Sequence, residues 1–151
     1  MSGMAPDPAA AAAAIVDAGS YMTLATADAE GRPWASPVWY APEPSGDLLW
    51  VSRPGRRHSL NLAVRPQLAI VVFDSHVEPG SGVGVYIDAL ATEVAEAERE
   101  EAIAVFSARA QAQGMRAWTE ADVTAPAPLR LYRATVVERF YGEHDERTRI
   151  D

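Results

Sequence analysis

Between residues 50 and 62 the chain reads WVSRPGRRHSLNL, which places Arg53, Arg56, Arg57 and His58 within six positions. Guanidinium groups make forked hydrogen bonds to phosphate and carboxylate oxygens. Where such residues open a helix, the unpaired N–H groups and positive dipole end of its first turn act in the same direction. Gly55 lets the backbone approach closely, and Ser52 supplies a hydroxyl at the end of a strand pattern. These are the parts of an anion site. The same spacing also suits a few solvated cations on a surface turn.

Other reactive constellations are weaker. GSGVG at 80–84 leads into a strand pattern and not a helix, so it lacks the helix N-terminus that a dinucleotide loop needs and reads as a hairpin loop. Asp74, His76 and Glu78 alternate at spacing two, but without a second histidine nearby they read as the polar end of a strand, and no metal is expected. Ser81 lies in PGSGV, which is not a nucleophile elbow. The acidic AEAEREE reads as the solvated start of a helix. Trp34, Trp39 and Trp50 fall in strand patterns and read as core, whereas Trp118, in a connector, is open to a site or an interface.

Composition narrows the chemistry further. The chain has 151 residues, the length of one ordinary domain, and 1–151 is read as a single unit. Its net charge of −8 disfavours nucleic-acid and anionic membrane partners. No apolar stretch is long enough to span a bilayer and no leader pattern opens the chain, so a cytoplasmic location is expected. Cysteine is absent, as is lysine, which removes thiolate, disulfide and Schiff-base chemistry.

The elements that must position the cluster follow from pattern. DPAAAAAAIVDAG (7–19) reads as a helix capped by Asp7, with Pro8 first and Gly19 as its stop. YMTLATA and PWASPVWYA read as a hairpin, and LLWVS as a third strand. RRHSLNLAV is a short helix ended by Arg65-Pro66. QLAIVVFD, an unbroken apolar run, reads as a strand buried on both faces. VGVYIDALATEV is a long alternating strand. AEAEREEAIAVFSARAQAQG is the strongest helix, with Ala102, Val105, Phe106 and Arg109 on one side and Gly114 past its end. LRLYRATVVERFYG is the last strand, and 142–151 reads as a tail. Six strands and three helices with hairpin connections predict a mainly β fold, an antiparallel barrel with flanking helices.

In this order the segments resemble the pyridoxamine 5'-phosphate oxidase-like FMN-binding split-barrel family. The carrying stretches are TLATADAEGRPWASPVWY, LLWVSRPGRRHSLNLAVRPQLAIVVFD and LRLYRATVVERF, and the resemblance spans roughly residues 15 to 141. It implies a six-stranded antiparallel split β-barrel. It implies that Arg57 and His58 hold a flavin phosphate beside Ser52 and Asn61, with Arg53 and Arg56 as neighbouring cations. It also implies that the backbone of Ser36, Pro37, Val38 and Trp39 lies along the isoalloxazine ring. His58 stands where members more often carry lysine or arginine.

The resemblance further implies a homodimer with two flavin sites at its interface, which Trp118 or the last strand of a partner approaches. The implied activity is FMN-dependent oxidoreduction of a small molecule, the flavin carrying the hydride. Alternatives on the same scaffold are F420-dependent reduction and non-catalytic flavin binding or storage. The ending GEHDERTRID lacks the Arg-Leu-x-Pro of true pyridoxamine phosphate oxidases, so that reaction is not expected.

Overall fold

A computed structural model describes residues 7–143 and 146–151. The chain order is α1 (Pro8–Ala18), β1 (Tyr21–Ala27), β2 (Pro33–Trp39), β3 (Ala41–Pro42), β4 (Leu48–Ser52), α2 (Arg57–Val64), β5 (Gln67–Phe73), β6 (Val83–Glu93), α3 (Glu96–Ala112), a 3₁₀ turn over Glu120–Val123, β7 (Arg130–Glu143) and β8 (Glu146–Ile150). All strand pairs are antiparallel, in the order β2-β1-β5-β6-β7-β4-β3, and β8 pairs with the far end of β7. The two edge strands, β2 and β3, are joined through one residue, Tyr40, so the sheet curls until its edges meet in sequence without pairing. That is a split barrel.

Alternation fills it. Met22 and Leu24 of β1, Leu68, Ile70 and Val72 of β5, Val85, Ile87, Ala89 and Ala91 of β6, and Leu48 and Trp50 of β4 form one buried cluster. The opposite face of β4, through Leu49, packs with Ala41 and Leu131 against Ala102, Ile103 and Phe106 of α3. β4 therefore has both faces covered, as has the start of β7, where Leu131 joins the α3 cluster and Tyr132 the barrel cluster.

Four expectations change. β5 was expected to be buried on both faces, but Leu68, Ile70 and Val72 point inward while Gln67, Ala69 and Phe73 are exposed. An unbroken apolar run reports two apolar faces, and this chain covers only one of them. The single strand expected over 33–41 breaks at Tyr40, whose hydroxyl donates to Val16 O at 2.7 Å and turns the chain from one sheet edge to the other. The expected tail contains β8, held by backbone pairing to β7 and so invisible to hydrophobic patterning. Two short strands thus raise the number from six to eight among the described residues.

The fourth change concerns α1, whose limits match the expectation although their causes differ. Asp7 makes no side-chain capping bond, and Gly19 is extended at φ −76° instead of left-handed. Glycine is required there because a Cβ would collide with the Tyr40 hydroxyl. Gly114, by contrast, closes α3 with φ +80°, the conformation that favours glycine. Arg109, expected on the packed side of α3, donates from one nitrogen to Asp17 O at 2.8 Å and Gly19 O at 2.7 Å, tying α3 to the end of α1. Among the described residues no helix is long and apolar enough to cross a membrane.

Candidate functional site

α2 connects β4 to β5 and packs against β1, β2 and β6. Its first turn contains no acidic residue, and no side chain caps it, so its amide donors keep their positive potential. Below this turn a cleft of about 370 Å³ runs between β2, the end of β4 and the segment after α3. Ser52, Arg56 and His58 form its polar end, and Pro37, Trp39, Phe106 and Trp118 its apolar walls. Phe106 meets Trp39 edge-on at 5.0 Å and Trp118 edge-on at 5.4 Å, which fixes both indoles. Trp39 Nε1 donates to Gln113 Oε1 at 2.9 Å, and Ser107 Oγ accepts from Trp118 N at 2.8 Å. A planar ligand with an anionic end suits these walls.

His58 is 9% exposed, and its Nε2 lies 2.9 Å from Ser52 Oγ. Burial, and secondarily the Arg56 charge, hold its pKa below the usual imidazole value. His58 is therefore neutral at pH 7 and acts as a hydrogen-bonding neighbour of Ser52, while the permanent charge at this end belongs to Arg56. The shift has a consequence for stability. A group with a folded pKa below its unfolded value of about 6.5 contributes stability that is present above that pH and declines as pH falls towards the folded pKa. Urea midpoints measured from pH 7.5 to 5 should fall more steeply for the native chain than for His58→Gln. Parallel curves would show that His58 titrates freely.

The remaining sequence-selected residues are distributed unequally. Arg57 turns away from the cleft and stacks over exposed Trp34 at 4.2 Å, so the adjacent pair Arg57 and His58 points in two directions. Trp34 is 41% exposed, against the expectation of a core residue. Trp50 is fully buried, as expected. Arg53 is exposed at the turn and does not line the cleft. Asn61 is buried, and its Nδ2 donates to Thr26 Oγ1 at 3.0 Å, anchoring α2 to β1 instead of facing the cleft. On β2, Ser36 and Val38 are buried, while Pro37 is exposed and Trp39 half-buried, so the cleft meets the outward side of that strand and the edge of Val38.

Sequence reasoning missed Tyr21, Val51, Met115 and Leu129, which also line the cleft. They come from separated elements and carry no shared motif. It also missed Arg116, whose guanidinium covers the Trp118 ring at 3.7 Å while pairing with Asp122 at 3.3 Å, and so backs that wall of the cleft. The Asp74–His76 contact of 3.3 Å is an exposed turn interaction, since the same Asp74 oxygen accepts His76 N at 2.9 Å.

Comparison with known proteins agrees with this architecture. No curated protein sequence matches the chain. Among solved structures it is similar to a heme binding protein from Mycobacterium smegmatis, with TM-score 0.77 and 20% identity over 98% of this chain. The chain spans 59% of the length of that protein. It is similar to HutZ, a heme storage protein from Vibrio cholerae, with TM-score 0.67 and 22% identity, covering 89% of this chain and 92% of the other. It is also similar to a FAD-binding protein from Mesorhizobium loti, with TM-score 0.66 and 17% identity, covering 88% and 92%. At these identities the likeness concerns the fold. Residues 9–141 match the sequence family described as Pyridoxamine 5'-phosphate oxidase, a span that includes β1 to β6, β7 up to Tyr141 and both walls of the cleft. The chain belongs to the pyridoxamine 5'-phosphate oxidase family.

Proposed function

We propose that the chain binds FMN in the cleft beneath α2 and works as a homodimeric oxidoreductase on a small molecule. The observation that carries this reading is the joining, in one cleft, of an uncapped helix start with Arg56 and a slot walled by Trp39 and Trp118. The residues suit the cofactor. Arg56, the α2 amides and the Ser52–His58 pair would face the phosphate, with Arg57 and Arg53 within a residue or a turn of them in sequence. Pro37, Trp39 and Trp118 would flank the ring. Bound flavin would supply hydride transfer, and the protein would orient it and exclude water. True pyridoxamine phosphate oxidation is not proposed.

The homodimer is supported by the outward side of the sheet. Ala25, Ala69, Val71, Tyr86 and Phe140 line most of a broad concavity there of about 530 Å³, with Thr23, Asp88 and Arg147 as its polar members, and Val137 beyond it is 58% exposed. An apolar sheet face of this kind calls for cover, and a second copy placing its own cleft alongside fits the resemblance.

A second reading is non-catalytic holding of a cofactor. It is favoured by the chemistry of the cleft, whose imidazole is neutral and already bonded to Ser52, and by relatives of the same fold described as heme binding and heme storage proteins. F420 remains an alternative cofactor, since its anionic groups suit the same arginines.

The experiment is loading followed by gel filtration. Chain incubated with FMN is expected to elute as a dimer with a flavin spectrum near one cofactor per protomer. Retention of F420 in preference to FMN selects the deazaflavin alternative. Retention of neither rejects the oxidoreductase reading. For a loaded protein, bleaching of the bound flavin by NADPH or NADH with reoxidation by a small acceptor separates an enzyme from a carrier.

A further inference from the structure

α2 has a second face. While His58 lines the cofactor cleft, the next residue, Ser59, faces a separate cavity of about 420 Å³ between α2 and strands β6 and β7. Leu62 and Ala63 of α2, Pro54, Pro66 and Ala91 give this cavity apolar walls. None of its lining residues is shared with the cleft. Ser59 is 4% exposed, and its Oγ has no hydrogen-bond partner among the described residues. A buried hydroxyl without a partner is costly and uncommon, because it has lost water without regaining a bond.

The hydroxyl of Tyr132 stands beside it. Tyr132 is 8% exposed and its ring stacks on Trp50 at 5.6 Å, which fixes the direction of the phenol. Burial keeps the phenol protonated well above neutral pH, and Ser59, Glu93 and Arg130 are its polar neighbours. The Ser59 hydroxyl is close enough to act on the phenol, yet no hydrogen bond closes between the two. Glu93 at the rim lies 3.6 Å from Arg130, so the one carboxylate of the lining is balanced by a nearby guanidinium.

We propose that this cavity is a second ligand site, taking a small uncharged molecule with an apolar body and a carbonyl oxygen that accepts hydrogen bonds from Ser59 and Tyr132. The apolar walls match the body, the two O–H donors match one acceptor oxygen, and the balanced rim selects against net charge. The ligand would satisfy the orphaned Ser59 hydroxyl, which the fold leaves unbonded. This assignment is independent of what occupies the cofactor cleft.

The test uses acetophenone as probe and amide chemical shifts of the full chain as readout, with ethylbenzene as the analogue lacking the oxygen. Expected are saturable shifts at Ser59, Leu62, Ala91 and Thr92, with ethylbenzene binding about fivefold or more weakly. Ser59→Ala should weaken acetophenone severalfold towards the ethylbenzene level, the Tyr132 hydroxyl keeping one of the two hydrogen bonds. Ala63→Trp, at an exposed position on the cavity wall, should abolish the shifts without disturbing buried packing and serves if Ser59→Ala proves unstable. Equal affinity for the two probes, unchanged affinity in Ser59→Ala, or shifts centred on Val38, Trp39 and Trp118 in place of Ser59 would each overturn the proposal.

Discussion

Removing both arginines at the start of α2, as Arg56→Ala/Arg57→Ala, is expected to weaken FMN binding by roughly 100-fold or more while changing riboflavin affinity only a few-fold. A charge-assisted hydrogen bond contributes about 1.5–3 kcal/mol, and every 1.4 kcal/mol is a factor of ten in affinity. Riboflavin has the same ring without the phosphate, so the ratio of the two losses isolates the anionic end. Titrations following flavin fluorescence at fixed salt measure both. The single variants then divide the effect. Arg56 already lines the cleft, so its loss should show in full. Arg57 begins stacked on Trp34 at 4.2 Å and must leave that contact to reach a phosphate, which offsets part of its gain by on the order of 0.5–1 kcal/mol. Its single variant is therefore expected to be the milder one. Equal losses for FMN and riboflavin in the double variant would show that neither arginine touches a phosphate.

Trp50→Ala is expected to cost about 3–5 kcal/mol of folding stability, a large share of the 5–15 kcal/mol typical of a domain. Trp50 has no exposed surface, stacks on Tyr132 with ring planes 14° apart, and lies at the inward face of a strand packed on both sides. Truncation empties a space that β4 cannot collapse into, because Leu49 on its other face is held against α3. Trp50→Phe should be far milder. It removes the indole Nε1, which is buried without a hydrogen-bond partner among the described residues, so lost volume is offset by relief of an unsatisfied donor. Urea unfolding followed by circular dichroism tests the pair of variants. A Phe variant as unstable as the Ala variant would show that the nitrogen is satisfied in solution by a water or a moving group.

These two expectations depend on different parts of the sequence. The burial of Trp50 is half legible in the sequence: LLWVS reads as a strand with Trp50 in the core, but pattern points to QLAIVVFD, the longer apolar run, as the strand buried on both faces. Hydrophobic pattern records how many apolar faces a strand has and does not record what covers them. β4 is covered by this chain's own α3, whereas the outward face of β5 is exposed. The anion site shows the same limit. Cationic residue types, their order and the helix start after Gly55 were all present in WVSRPGRRHSLNL. Which of them meet was not, because successive helical residues point about 100° apart.

By itself, then, the sequence determined the local elements and the family: α1, α2 and α3 lie where prolines, glycines and apolar spacing place them, and residues 9–141 match the family suggested by strand order and the basic cluster. Only the tertiary structure decided that Arg56 and His58 face the cleft while Arg57 covers Trp34, that Asn61 anchors α2 to β1, and that His58 is neutral. It also decided that Trp118 closes the cleft opposite β2 and that Ser59 looks into a cavity of its own. The physical reason is range. Helix starts, turns and strand alternation arise from residues a few positions apart. Burial, desolvation of an imidazole and the convergence of β2, β4 and the segment after α3 depend on contacts between residues tens of positions apart, which exist only once the sheet has curled.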